Sequence, residues 1–279
     1  MRYRTTALGV LLAAALAASA AQARGRVPSP IVFPLLGTVS YIDDFGQPRP
    51  GGLHQGNDLL APRKAIAVAA ESGKVVFWTT SKGAGCMLYL YGDSGTNYEY
   101  IHLNNDLGAG NDNKGSCVAG TAYAPGLVNE GHVEAGDPVG FVGDSGDADG
   151  IHPHLHFEVH PRGGKAVSPY PFLQKAQHLF FSAAAGTTVT LSLSGSVVAA
   201  AGDKLTIEVS LLRKWPAHQR VTKPGEVTVT VPAEVTDVST LAPGQQVTVW
   251  TEPTTASFDA ELGNGWTARK LTVKSALKR

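Results

Sequence analysis

From His154 onward, the segment Gly150-Ile151-His152-Pro153-His154-Leu155-His156-Phe157-Glu158-Val159-His160 alternates polar and apolar side chains. A period of two is the pattern of a strand that buries one face. It places His154, His156 and Glu158 on one side and Leu155, Phe157 and Val159 on the other. The apolar side demands a core. The polar side carries two imidazoles about 7 Å apart along the backbone. Such a pair can reach one metal site together, one ring binding the ion while its neighbour faces a substrate. The alternative is a polar sheet face with incidental histidines.

The rest of the chain supports a β-rich reading. With 32 Gly and 17 Pro in 279 residues, turns must be frequent. Runs rich in β-formers fall at residues 65–70, 74–79, 87–91, 97–102, 138–142 and 154–160, most of them bounded by Gly, Asp or Pro. Beyond residue 183 the texture changes. Residues 188–193, 205–211, 227–231, 247–250 and 271–273 mostly alternate Thr or Ser with Val or Leu, and the clearest breaks are Pro224-Gly225 and Pro243-Gly244. Short strands at that density predict a small antiparallel β-sandwich of the Ig-like kind. The expected fold class is therefore all-β: a compact, mostly antiparallel domain over residues 37–182, then the sandwich over 183–279. Residues 24–36 are expected to be an N-terminal linker. Eight of the nine histidines precede residue 183, so chemistry is expected in the first domain and none in the second.

Residues 1–23 read as a secretory signal peptide. Arg2 and Arg4 open it, residues 7–18 are apolar, and Ala18-Ser19-Ala20 and Ala21-Gln22-Ala23 are both cleavage candidates. The apolar run is shorter than the roughly 20 residues a spanning helix needs. The expectation is a secreted or periplasmic protein of the cell envelope, with no membrane span after processing; an uncleaved anchor is the alternative. In an oxidising compartment Cys86 and Cys117 are expected to form a disulfide. Its loop-closure effect would be about 3–4 kcal/mol; two free thiols are the alternative. Lys+Arg and Asp+Glu both number 23. That balance gives no basic face and argues against a nucleic-acid partner.

Two further sites complete a set of chemistry-bearing residues. In Gly51-Gly52-Leu53-His54-Gln55-Gly56-Asn57-Asp58 the glycines disfavour a helix, so His54 and Asp58 are expected on a turn entering a strand. An imidazole and a carboxylate are ordinary zinc ligands. His102 ends the strand-like run Tyr98-Glu99-Tyr100-Ile101, and taken alone it reads as structural.

His54-x-x-x-Asp58, then Tyr100-Ile101-His102-Leu103, then His154-Leu155-His156-Phe157-Glu158-Val159 resemble the lysostaphin-type, LytM-like family of zinc endopeptidases. The hairpin residues Ala69 to Val75 and Val133 to Gly143 match its pattern in order. The resemblance covers residues 34–172. It implies a LytM-like β domain with the site in a groove, Zn2+ as cofactor, and His54, Asp58 and His156 as its ligands. It implies His102 and His154 as the catalytic histidines beside the metal, sharing proton transfer and oxyanion stabilisation. The implied substrate is a peptide bond of peptidoglycan stems or cross-bridges. A catalytically inactive relative that binds cell wall or activates another hydrolase is the alternative; a zinc-storage protein fits less well, because the histidines are woven into core-forming strands. Residues 104–133 are longer than compact relatives need, and this insert is expected to wall the groove. His132, His152 and His160 match no motif residue and read as solvated or structural.

Overall fold

The alternation at residues 154–160 is realised as a strand, His154–His160, second in the order of a six-stranded sheet. A computed structural model describes residues 27–184 and 186–274, so the expected signal segment lies outside the described residues. The sheet order is Asn57–Leu60, His154–His160, Asn97–Leu103, Cys86–Gly92, Gly73–Trp78 and His132–Val133, with every pairing antiparallel. Leu155, Phe157 and Val159 point to its inner face with Leu88, Leu90, Tyr98 and Tyr100, all fully buried. The paired strands Ile66–Val68 and Pro138–Phe141 contribute to the same core. The Tyr100 hydroxyl donates to the Val68 carbonyl (2.9 Å) and accepts from the Ala70 amide (2.8 Å), which satisfies the one polar atom this ring brings inside.

The C-terminal part is built mainly of antiparallel strands, with a short helix at Phe258–Glu261 before the last of them, but its architecture differs from a two-sheet sandwich. Thr188–Ala201, Lys204–Trp215, Gln219–Thr230, Gln246–Thr251 and Ala268–Val273 lie in one sheet, in the order Gln219–Thr230, Lys204–Trp215, Thr188–Ala201, Gln246–Thr251, Ala268–Val273. A bridge between Thr230 and Thr267 links the two ends, so the sheet curls back on itself. Three strands are also longer than expected, because bulges let them bend instead of stopping. Pro224-Gly225, read as a break, sits inside Gln219–Thr230 where the register slips opposite Val209 and Leu211. Proline is tolerated there because a bulge on a strand at the end of the order leaves its missing N–H without consequence.

Residues 31–36, expected to be linker, are buried between the two halves. Ile31, Phe33 and Leu35 pack with the core of the first sheet, while Val32 and Leu36 pack with that of the second. Cys86 and Cys117 are bridged. Among the described residues no helix is long and apolar enough to cross a membrane.

Candidate metal centre

Register brings the sequence motifs together. His156 stands directly across from Asp58 on one neighbouring strand and from Ile101 on the other. Residues Gly46 to His54 fold back through the small hairpin of Pro48–Arg49 and Gly52–Leu53, tied by His54 N–H to the Gln47 carbonyl (2.9 Å). Gly56 then passes so close to the strand His154–His160 that a Cβ would lie 2.4 Å from the Phe157 carbonyl oxygen and 2.9 Å from His156 Nε2. Only glycine lets His54 approach that strand.

The three donors converge. His54 Nε2 is 3.1 Å from Asp58 Oδ1 and 2.9 Å from His156 Nδ1, and His156 Nδ1 is 3.0 Å from Asp58 Oδ1. Their partners orient them. His54 Nδ1 donates to the Asp44 carbonyl (3.0 Å), leaving the Nε2 lone pair to face inward. His156 Nε2 donates to Glu158 Oε1 (2.9 Å), leaving Nδ1 inward. Arg49 donates to the far oxygen of Asp58 (2.9 Å). Burial opposes ionisation of Asp58, yet its hydrogen bonds to His156 and His54 hold it well below the usual carboxylate range. Burial likewise opposes protonation of His156, but Asp58 and Glu158 outweigh it and raise the imidazole to about 9. The cluster calls for positive charge at its centre.

A divalent ion meets that demand. Tetrahedral zinc with bonds of about 2.0–2.1 Å sets its donors about 3.3 Å apart, close to the spacing of these three. Two imidazoles with their other nitrogens tied to oxygen acceptors, plus one carboxylate, form a donor set that fits zinc and leaves a fourth position open.

His102 and His154 flank the cluster. His102 Nδ1 donates to the Ser145 carbonyl (2.8 Å) and His154 Nδ1 to the His152 carbonyl (2.9 Å). Each ring therefore keeps Nε2 free on the groove side. His154 Nε2 lies 3.7 Å from Asp58 Oδ1, and the two ring centroids are 5.1 Å apart. Burial, reinforced by His154, pushes His102 down to about 4, so it is a neutral imidazole at pH 7. The groove they share has a volume of about 480 Å³, and Arg49, Leu53, Asp147 and Ile151 complete its walls.

His102 reaches this groove by an irregularity. Alternation from Tyr98 and Tyr100 would send it into the core. Between Leu88 and Cys86 the register slips, so Ile101 and His102 both oppose Met87, and His102 adopts φ +62°. That left-handed conformation costs roughly 1 kcal/mol or more. It returns the imidazole to the open face and Leu103 to the core. Ser145 holds the bulge: its hydroxyl donates to the Leu103 carbonyl (2.6 Å) and accepts from the Cys86 amide (2.9 Å).

All five residues singled out in the sequence thus lie at one groove. Asp44, Arg49 and Ser145 escaped notice, because Asp44 and Ser145 sit in irregular segments and Arg49 in a two-residue strand, all too short to show a period. Glu158 did carry a signal, since alternation put it on the face of His156. The insert at residues 104–133 behaves differently from expectation. None of its residues lines this groove; with Lys82 and Gly146 it borders a neighbouring groove of about 330 Å³ beside the disulfide. Its own packing explains this: Tyr123 stacks on Phe77 (3.8 Å between centroids), and Asp106, fully buried, pairs with Arg63.

No family model matches the chain. Over 136 residues it is 28% identical to the DD-carboxypeptidase/endopeptidase Mpg of Neisseria meningitidis serogroup B, a match that takes in 47% of this chain and 26% of that protein. The chain thus spans about a quarter of that relative's length. Among solved structures it matches a putative glycyl-glycine endopeptidase lytM from Ruminococcus gnavus at 24% identity and TM-score 0.41, over 53% of this chain and 61% of that one. It also matches the catalytic domain of lysostaphin from Staphylococcus simulans at 25% identity and TM-score 0.36, over 50% of this chain and 89% of that one. The chain is similar to LytM-like peptidases of the M23 family.

Proposed function

We propose that this chain is an exported zinc-dependent endopeptidase that hydrolyses peptide bonds in peptidoglycan stems or cross-bridges. One observation carries the reading: three donor atoms within 2.9–3.1 Å of one another, with two further imidazoles presenting free Nε2 atoms beside them. His54, Asp58 and His156 hold the ion. Bound there, zinc supplies Lewis-acid polarisation and lowers the pKa of water to about 7.

The chain's own residues do the rest. His102 and His154 are fixed as Nδ1–H tautomers, so each offers Nε2 as a proton acceptor in the groove. One takes the proton of the attacking water. Either, once protonated, donates to the developing oxyanion or to the leaving amine. The low proton affinity of His102 suits a group that must release a proton readily. Arg49 neutralises the outer oxygen of Asp58 and keeps the carboxylate turned inward. The Cys86–Cys117 bridge supports location in an oxidising compartment outside the cytoplasm.

The test is direct. Purified protein should clear a peptidoglycan suspension and release new amino termini, and a chelator should abolish both. Zinc binding without cleavage of any wall preparation would leave the inactive wall-binding or hydrolase-activating reading instead. Sequencing the new termini from walls of defined cross-link identifies the bond.

A further inference from the structure

His160 has no counterpart in the motifs, yet it joins the metal centre through one intermediary. Glu158 and Glu99 stand directly opposite each other on adjacent antiparallel strands. Two carboxylates so placed repel. His160, two residues along on the same face, lies against both: its Nε2 is 2.6 Å from Glu158 Oε2 and 3.4 Å from Glu99 Oε1. Its Nδ1 donates to the Gly164 carbonyl at 2.8 Å. Both ring nitrogens therefore face acceptors, and the ring is locked at both ends. Glu158 is locked in turn, because its other oxygen, Oε1, accepts from His156 Nε2 at 2.9 Å.

We propose that His160 is a positioning residue: by holding Glu158 against the repulsion of Glu99, it fixes the orientation and tautomer of His156 as a metal ligand. The inference rests on the reading of His54, Asp58 and His156 as a zinc site. The physical reason is that His156 must present a bare Nδ1, so its proton must sit on Nε2 and needs an acceptor there. Glu158 is that acceptor only in the rotamer that splits its two oxygens between His156 and His160. With His160 gone, the long side chain regains its rotamers and is pushed away from Glu99. His156 then loses the partner that sets its tautomer.

The experiment uses the full chain and reads zinc affinity by competition with a chromophoric chelator, and ligand geometry by the visible absorption of the cobalt-substituted protein. Glu158→Ala should weaken zinc binding by about 10–100-fold, the usual effect of losing such a partner. His160→Ala should weaken it by about three- to tenfold, a fraction of that range, and alter the cobalt spectrum. His160→Gln, which can still donate to Glu158, should recover part of the loss. Glu158→Gln keeps an acceptor for His156 that Glu99 does not repel, so adding His160→Ala to it should cost little more, a non-additivity expected of residues acting in series. Thermal unfolding of chelator-treated protein checks that each variant folds; if His160→Ala does not, the His160→Gln and Glu158→Gln variants carry the test. The proposal is overturned if folded His160→Ala binds zinc and cobalt as the parent does. It is also overturned if the parent binds two equivalents and loses one in His160→Ala, which would make Glu99, Glu158 and His160 a second cation site. A parent that binds no zinc at all refutes the metal-centre reading itself, a different result from either.

Discussion

The two large sheets follow the same rule of alternation and put it to different use. In the sheet around His154–His160, buried polar groups converge: His54, His102, His154 and Glu158 all face one groove, each with a hydrogen-bond partner. In the C-terminal sheet and its surroundings, buried polar groups are scattered. Lys214 and Glu261 are both buried, close enough for their opposite charges to act on each other, and Glu261 accepts from the Ala183 amide at 2.6 Å. Burial, with the nearby charge of Asp137, raises the Glu261 carboxyl to about 7. Burial perturbs titratable groups in both regions. Only where the perturbed groups also converge on open space does the arrangement have chemistry to perform.

The contrast can be broken most severely at the cross-strand pair of His156 and Asp58, the proposed ligands. His156→Ala should eliminate stoichiometric zinc and reduce peptidoglycan hydrolysis to background, as measured by metal analysis and turbidity clearing. Next in size, His154→Ala or His102→Ala should leave zinc content intact and lower turnover by about 10²–10⁴, the span of one general acid–base group. Loss of metal in either variant would transfer that residue to the ligand set.

On the other side of the comparison, Trp266 is the largest fully buried side chain, and its indole N–H donates to the Ala260 carbonyl at 3.1 Å. Trp266→Ala should cost about 3–5 kcal/mol, read from denaturant unfolding. Because residues 31–36 send alternate side chains into both cores, both sheets should unfold in one transition and the zinc stoichiometry of folded protein should not change. Two separate transitions would show that the sheets are independent units.

The smallest effect is a pH dependence. Glu261 has a folded pKa above its ordinary 4.5, so its contribution is full below about 4.5 and is lost as pH rises through about 7. Glu261→Gln keeps the bond to Ala183 and removes this loss. The variant should match the parent at pH 4 and melt about 2–4 °C higher at pH 8, an effect on the order of 1 kcal/mol. Equal melting at pH 8 would mean that ionised Glu261 is fully compensated, by Lys214 above all.

Much of the site was legible because its signals are local. Richness in β-formers between Gly, Asp or Pro boundaries located every site-sheet strand of four or more residues except Asn57–Leu60, for which the motif at His54 and Asp58 stood in. Period-two alternation placed His154, His156 and Glu158 on one face. In the C-terminal part it located all five long strands but misjudged their ends, since a proline at a bulge reads the same as a proline at a break. It gave no warning that residues 31–36 are core, because a short apolar run after prolines has too little length to show a period.

The amino-acid sequence alone marked the candidate residues for the chemistry, through side-chain type and motif order, and the apolar faces of the strands, through a repeat of two. Three matters belonged to the tertiary structure. The pairing of His156 with Asp58 depends on register across 98 positions of chain. The bulge at His102 reverses what alternation alone implies and depends on Ser145 from a distant turn. The locking of Glu158 by His160 depends on which strand lies opposite and on the Gly164 carbonyl beyond it. The first two are contacts between segments remote in sequence; the third joins near neighbours, His160 with Glu158 and Gly164, but the repulsion it answers comes from Glu99, which only strand pairing brings opposite.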